Sequence, residues 1–191
     1  MRVLGVSFSG RQHGNCDRCL GYCLEQLAAK DADTAAVYIR EHPVRPCTDC
    51  EYACFSGALC PIHDSMDDIF DQCDRADVIL WALPTYRGHL PAAYFPFSER
   101  LEGYVQRGID IQDTILRKVH IILIGNLNAG AGIARDEIMS EWIDKRVHPQ
   151  TILLSSRDHH RRSIDGDMIE EEPVRQSLDR FAHHILIHSG S

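Results

Sequence analysis

Short apolar runs alternate with stretches of helical periodicity along the chain. RVLGVSFS, Arg2 to Ser9, is a brief apolar run closing on Ser and Gly, the pattern of a buried strand. Cys16, Cys19, Leu20, Cys23, Leu24 and Leu27 then recur at helical spacing. TAAVYIRE, Thr34 to Glu41, predicts a second strand. After an irregular segment bounded by Pro43, Pro46 and Pro61, a helix is predicted with Asp64 as its N-cap and Met66, Ile69, Phe70 and Cys73 facing inward. DVILWALP, Asp77 to Pro84, is a third strand, and a helix follows over about Pro91 to Tyr104. VHIILIGN, Val119 to Asn126, is the fourth, and a Gly/Asn/Ala loop leads to a helix near Ala134 to Arg146. TILLSS, Thr151 to Ser156, is the fifth, and EEPVRQSLDRFAHHILIH is a closing helix.

Strands of continuous apolar type alternating with helices predict an α/β fold: a parallel sheet covered on both faces, three layers deep and doubly wound. Ligands of such sheets bind beyond the carboxyl ends of the strands. With 191 residues and no linker or internal repeat, the expectation is one domain over residues 1–191, with a cysteine-rich loop at 46–61.

Composition narrows the partners. A net charge of −8 argues against a general nucleic-acid or anionic-membrane binder, so an anionic ligand must be held by local donors. No apolar stretch is long enough to span a membrane, and MRVLGVSFSG lacks the pattern of a signal peptide. The expected location is the cytoplasm, where stable disulfides are uncommon. Eight cysteines then need a metal, a cluster, catalysis or a core as their explanation.

Three loops at the predicted strand ends carry candidate chemistry. SFSGRQHGNC offers Ser9, Arg11, Gly14, Asn15 and Cys16 at the start of a helix, a composition suited to a phosphate. Neither a P-loop nor a dinucleotide fingerprint is present. In LPTYRGHLP, the residues Pro84, Thr85, Tyr86, Arg87, Gly88 and His89 can lie against a flat ring. GNLNAGAG brings Gly125 and Asn126, where backbone can approach a ligand closely. CTDCEYACFSGALC places Cys47, Cys50, Cys54 and Cys60 within one irregular loop, a set that suits an iron–sulfur cluster, zinc, or free thiols. Cys19, Cys23 and Cys73 read as core residues, although Cys16-x-x-Cys19 also has the form of a dithiol motif. The histidine pairs at 159–160 and 183–184 read as solvated or interface positions.

Taken with its cysteine loop, the chain resembles the flavodoxin-like NADPH-dependent FMN reductases, and within them the iron–sulfur flavoproteins. The first loop is similar to the family's S-x-S-x-R-x-x-G-N-T phosphate loop, with Cys16 where Thr is usual. Pro84-Thr85-Tyr86 and Gly88 match its isoalloxazine loop, and Gly125-Asn126 its third loop. Three residues rather than two separate Cys50 from Cys54. The resemblance covers roughly residues 2–126 and implies a sheet of strand order 2-1-3-4-5. It also implies an FMN-dependent oxidoreductase in which the flavin, and no side chain, carries the chemistry, with electrons passing between FMN and a [4Fe-4S] cluster in the 47–60 loop. The alternatives are an NAD(P)H-dependent FMN or quinone reductase with structural or zinc-bound cysteines, and a non-enzymatic electron carrier or redox sensor. Implied partners are a redox protein or NAD(P)H, and a second copy of the chain in a homodimer or homotetramer.

Overall fold

The computed structural model describes residues 1–126, 128–142 and 149–188, with the backbone alone for 128–131. Five strands form one parallel sheet: β1 (Arg2–Ser7), β2 (Asp33–Tyr38), β3 (Val78–Pro84), β4 (Val119–Gly125) and β5 (Thr151–Ser155). Their order is β2-β1-β3-β4-β5, as the resemblance implied. Each strand lies within a residue or a few of its expected place. All the pairings are parallel, so the carboxyl ends of Ser7, Pro84, Gly125 and Ser155 emerge at one edge.

The uniform apolar runs resolve into two faces. On β3, Val78, Leu80 and Ala82 point to one layer, and Ile79, Trp81 and Leu83 to the other. The first layer holds α1 (Asn15–Ala28) and α6 (Glu172–His188). α1 buries Cys16, Cys19, Leu20, Cys23, Leu24 and Leu27, and Cys19 and Cys23 are fully enclosed. A Cβ at Gly5 would come within 2.9 Å of Leu24, so glycine lets this helix settle close against β1. The second layer holds α2 (Met66–Arg75), α3 (Tyr94–Val105), a short α4 (Ile111–Thr114) and α5 (Asn128–Met139) around a cluster of aromatic rings. Phe8 meets Trp81, Tyr94 and Phe97 edge to face at 5.6–5.9 Å, a favoured geometry for such rings.

Four elements differ from expectation. α3 begins at Tyr94 rather than Pro91, which puts Pro96 in the first turn, where its missing N–H costs nothing. α4 was not expected; Asp110 caps it by accepting the N–H groups of Gln112 and Asp113. The Gly/Asn/Ala segment is not a loop but the start of α5. Fully buried Ala134 and Ile138 anchor that helix, and their packing outweighs the cost of helical glycine. The expected extension of this helix to Arg146 falls partly outside the described residues. Asp64 does receive the Met66 N–H (3.0 Å), but Ser65 occupies the cap position of α2. Among the described residues no helix is long and apolar enough to cross a membrane.

His120, on β4, carries a consequence for stability. Its ring lies edge-on to Phe181, and its buried Nδ1 has no hydrogen-bond partner among the described residues. Burial, with a smaller contribution from His184, lowers its pKa from 6.5 to about 4. The folded state therefore resists a proton that the unfolded chain accepts. The penalty is absent above pH 6.5, grows as pH falls, and is complete below about 4, reaching about 3 kcal/mol. His120→Gln is expected to flatten this part of the stability profile, as read by urea unfolding at pH 7 and pH 5. An unchanged pH dependence would assign the acid sensitivity elsewhere.

Candidate functional site

At the carboxyl edge of the sheet a cleft opens between the loops after β1, β3, β4 and β5. It is lined by Ser9, Arg11, Gly14, Asn15, Cys16, Pro84, Thr85, Tyr86, Ile124, Gly125, Asn126 and Ser163. Strand ends hold these loops: Phe8 N–H donates to the Ala82 carbonyl, Thr85 N–H to Ile124, and Ser156 N–H to Gly125. α1 starts at the cleft. Its N-cap is Gly14, which has no side chain to cap with, so the first-turn amides are left for an acceptor from outside the helix.

The loop between Ser9 and Gly14 is held open by its own bonds. Ser9 Oγ accepts the Arg11 N–H (3.1 Å) and donates to the Arg11 carbonyl (3.3 Å). His13 adopts a left-handed φ of 56°, and its N–H donates to Asp17 Oδ2 (2.9 Å). Asp17 is buried on α1 and accepts the Ser7 hydroxyl through Oδ1 (2.7 Å). It is paired with Arg40 at 2.9 Å, and that guanidinium lies over the Tyr38 ring. One carboxylate thus joins the end of β1, the tip of the loop and the end of β2.

A fourth loop, after β5, closes the far side. The Ser163 carbonyl accepts from Arg11 Nη1 (3.1 Å) and Asn15 Nδ2 (3.4 Å), while Asn15 Oδ1 accepts the Met168 N–H (3.1 Å). Gly166, at φ +71°, passes so near that a Cβ would sit 2.9 Å from the His13 carbonyl. Ser163 was not foreseen, because it acts through its main chain and its side-chain identity carries no signal. Ile124 reads as ordinary strand. Asp17 reads as a routine acidic residue in a helical first turn.

Arg87, Gly88 and His89 do not line the cleft. Tyr86 and His89 exchange backbone hydrogen bonds around Arg87 (φ 53°) and Gly88 (φ 90°), a tight turn. His89 is exposed there, 4.0 Å from Glu137. Burial raises the Cys16 thiol above its usual range, and holds Cys19 at about 12. Both thiols are buried in the apolar cluster between α1 and the sheet, the setting of core residues.

The second feature is a cavity of about 300 Å³ beside α3. Cys47, Cys50, Cys54 and Cys60 all line it, with Tyr52, Phe55, Ile62, Arg100 and Gly103 among its other walls. All four are free thiols; Cys47 is exposed and the others half-buried. Burial and the Glu99 carboxylate raise the Cys47 thiol, and the Arg100 guanidinium works the other way. Glu51 and Tyr52 both take a left-handed φ of 54°, so the longer gap between Cys50 and Cys54 is folded into a kink. Among the described residues no three His, Cys, Asp or Glu side chains stand close enough to share one ion.

Comparison with known proteins agrees with this architecture. Residues 1–113 match the family described as NADPH-dependent FMN reductase. An iron–sulfur flavoprotein of Methanosarcina thermophila is 37% identical over 179 residues, covering 91% of this chain and 87% of its own. The iron–sulfur flavoprotein MJ1083 of Methanocaldococcus jannaschii is 30% identical over 92 residues, 48% of this chain and 47% of that one. Among solved structures, an NADH:FMN oxidoreductase in its apo form superposes with a TM-score of 0.58 at 16% identity, over 96% of this chain and 87% of its own.

Proposed function

Because the chain belongs to the NADPH-dependent FMN reductase family and is an FMN-dependent oxidoreductase, we propose that it passes electrons between FMN in the strand-end cleft and a [4Fe-4S] cluster held by Cys47, Cys50, Cys54 and Cys60. The observation that carries this reading is that one cavity is lined by all four thiols of the loop. Bound FMN supplies one- and two-electron chemistry, and a cluster one-electron chemistry.

The residues divide the work. Ser9, Arg11, Asn15 and the open amides of α1 hold the FMN phosphate, Arg11 and Asn15 exchanging the Ser163 carbonyl for it. Pro84, Thr85 and Tyr86 receive the ring, with Gly125 and Asn126 on its far side. Arg87, Gly88 and His89 stand at the rim, where they shape access to the ring rather than its seat. Cys16 contributes packing and a neutral thiol where a Thr hydroxyl is usual.

The cysteine loop fits a cluster better than zinc. Zinc would draw the four sulfurs to about 2.3 Å from one centre. A cluster keeps its ligands farther apart, around an interior like this cavity. Left-handed Glu51 and Tyr52 cost on the order of 1–3 kcal/mol each, strain that persists where a site demands it.

In this reading residues 1–191 act as one FMN-binding domain. The electron source is NAD(P)H or a redox protein, the location the cytoplasm, and the assembly a homodimer or homotetramer. Protein purified without oxygen is expected to contain FMN, iron and sulfide and no stoichiometric zinc. Flavin without iron or sulfide would leave a plain flavin reductase. Arg11→Ala is expected to weaken FMN binding about tenfold to a hundredfold, the loss of a charge-assisted hydrogen bond. An unchanged affinity by flavin fluorescence titration would move the phosphate elsewhere.

A further inference from the structure

The cysteine loop leaves and rejoins the body of the protein within reach of one side chain. Arg100, on α3, is only 4% exposed. Its Nη1 donates to the Arg45 carbonyl (3.3 Å) and to Asp64 Oδ2 (2.9 Å), and its Nη2 donates to the Ile62 carbonyl (3.3 Å). Arg45 lies two residues before the first cysteine of the loop, and Ile62 two residues after the last. Asp64 completes the closure by accepting the Arg45 N–H (2.8 Å). The neighbouring Glu99 accepts the Cys47 N–H (3.2 Å).

A guanidinium suits this place because its rigid fork serves several acceptors at once, which a lysine ammonium on a flexible stem does not. The burial is nonetheless costly. A buried ion pair contributes little net stability over an apolar pair of the same size, and the Arg100 and Asp64 side chains are only 3% and 7% exposed. The position of Arg100 gives a reason for keeping the charge, since the residue lines the same cavity as the four thiols. Thiolates gathered in a half-buried space repel one another, and a fixed cation beside them offsets that repulsion.

We propose that Arg100 is the positioning residue of the cysteine cavity: its fork draws the two ends of the loop together so that four sulfurs face one space, and its charge offsets theirs. The proposal rests on the iron–sulfur reading of that cavity.

The test compares wild type with Arg100→Lys, Arg100→Met and Asp64→Asn after anaerobic reconstitution with iron and sulfide in the presence of FMN. Three quantities are read: iron loss to a chelator, the midpoint potential of the cluster, and amide exchange over residues 45–62 in the iron-free protein. Arg100→Met is expected to lose iron at least about tenfold faster, as supporting residues around metal sites do when removed, at unchanged FMN content. Its potential should move negative, because the cation that favours the more negative, reduced cluster is gone. Arg100→Lys should hold the wild-type potential yet lose iron faster, since it keeps the charge and not the fork. Asp64→Asn should move the potential positive. In the iron-free protein the Arg45 and Cys47 amides of Arg100→Met should exchange at least about tenfold faster, their bonds no longer protected.

Iron retention and potential equal to wild type in Arg100→Met would overturn the proposal. A lysine variant that shifts the potential as far as methionine does would overturn its charge half. Wild type that takes up no iron would sink the iron–sulfur reading and the charge half with it, and the iron-free exchange would still decide the loop-closing half. If Arg100→Met does not fold, the lysine and Asp64→Asn variants decide both halves.

Discussion

Cys50→Ala is expected to strip iron from the protein and leave FMN in place. Cys50 is half-buried and lines the cavity that the other three loop cysteines share. Alanine removes a thiolate without disturbing the strand-end cleft, whose lining includes no residue of the loop. A cluster short of one protein ligand is exposed to solvent and to loss. Iron per flavin should fall by at least about tenfold, since even outer-shell losses reach that range. Cys23→Ala supplies the contrast. That thiol is fully buried on α1 beneath the opposite face of the sheet, and its removal should cost stability while leaving iron content unchanged. Metal analysis and the flavin spectrum decide the matter together. Stoichiometric iron in the Cys50 variant would mean that it is not a ligand.

Asp17→Ala is expected to be the most damaging change near the cleft. The carboxylate accepts from Ser7, from the His13 backbone and from Arg40, and its side chain is 7% exposed against 16% for Arg40. Removing it leaves a largely buried guanidinium with only the more exposed Glu41 carboxylate (2.9 Å) as its ion partner, a loss that approaches the roughly 3–5 kcal/mol of a broken buried pair. It also frees the left-handed turn at His13, which positions the loop before α1. FMN affinity should therefore fall as well, although Asp17 does not line the cleft. Denaturant unfolding of the flavin-free protein measures the first effect and flavin titration the second. Asp17→Asn, which keeps the shape and most of the hydrogen bonds, should recover much of the affinity. Full wild-type affinity in Asp17→Ala would separate the network from the site.

Some of this was legible in the chain because the signal was local. Cys16, Cys19, Leu20, Cys23, Leu24 and Leu27 recur at the helical period, and these are the apolar residues that α1 buries. On β3 an unbroken apolar run reads as a strand buried on both sides, and all seven of its residues are buried. The residues that organise the two cavities were illegible for the opposite reason. Arg100 looks like any arginine of an amphipathic helix until the folded chain brings Arg45, Ile62 and Asp64 around it. Ser163 is separated by 148 residues from Asn15, whose side chain it receives through a carbonyl that every residue type has. Gly88 and His89 adjoin Tyr86 in the sequence, yet the left-handed turn at Arg87 and Gly88 leaves Tyr86 but neither of them in the lining of the cleft.

By itself, then, the sequence determined the alternation of strands and helices, the apolar faces that drive them together, and the residue types gathered at the strand ends, all consequences of periodicity and side-chain chemistry over a few residues. Only the tertiary structure decided which of those residues meet. It drew four thiols separated by short irregular gaps around one space, and it supplied the clasp of Arg100 and Asp64 and the wall at Ser163 from distant parts of the chain. Burial, a left-handed turn and a shared hydrogen-bond acceptor depend on what the folded chain places nearby, and no local pattern of residues encodes that.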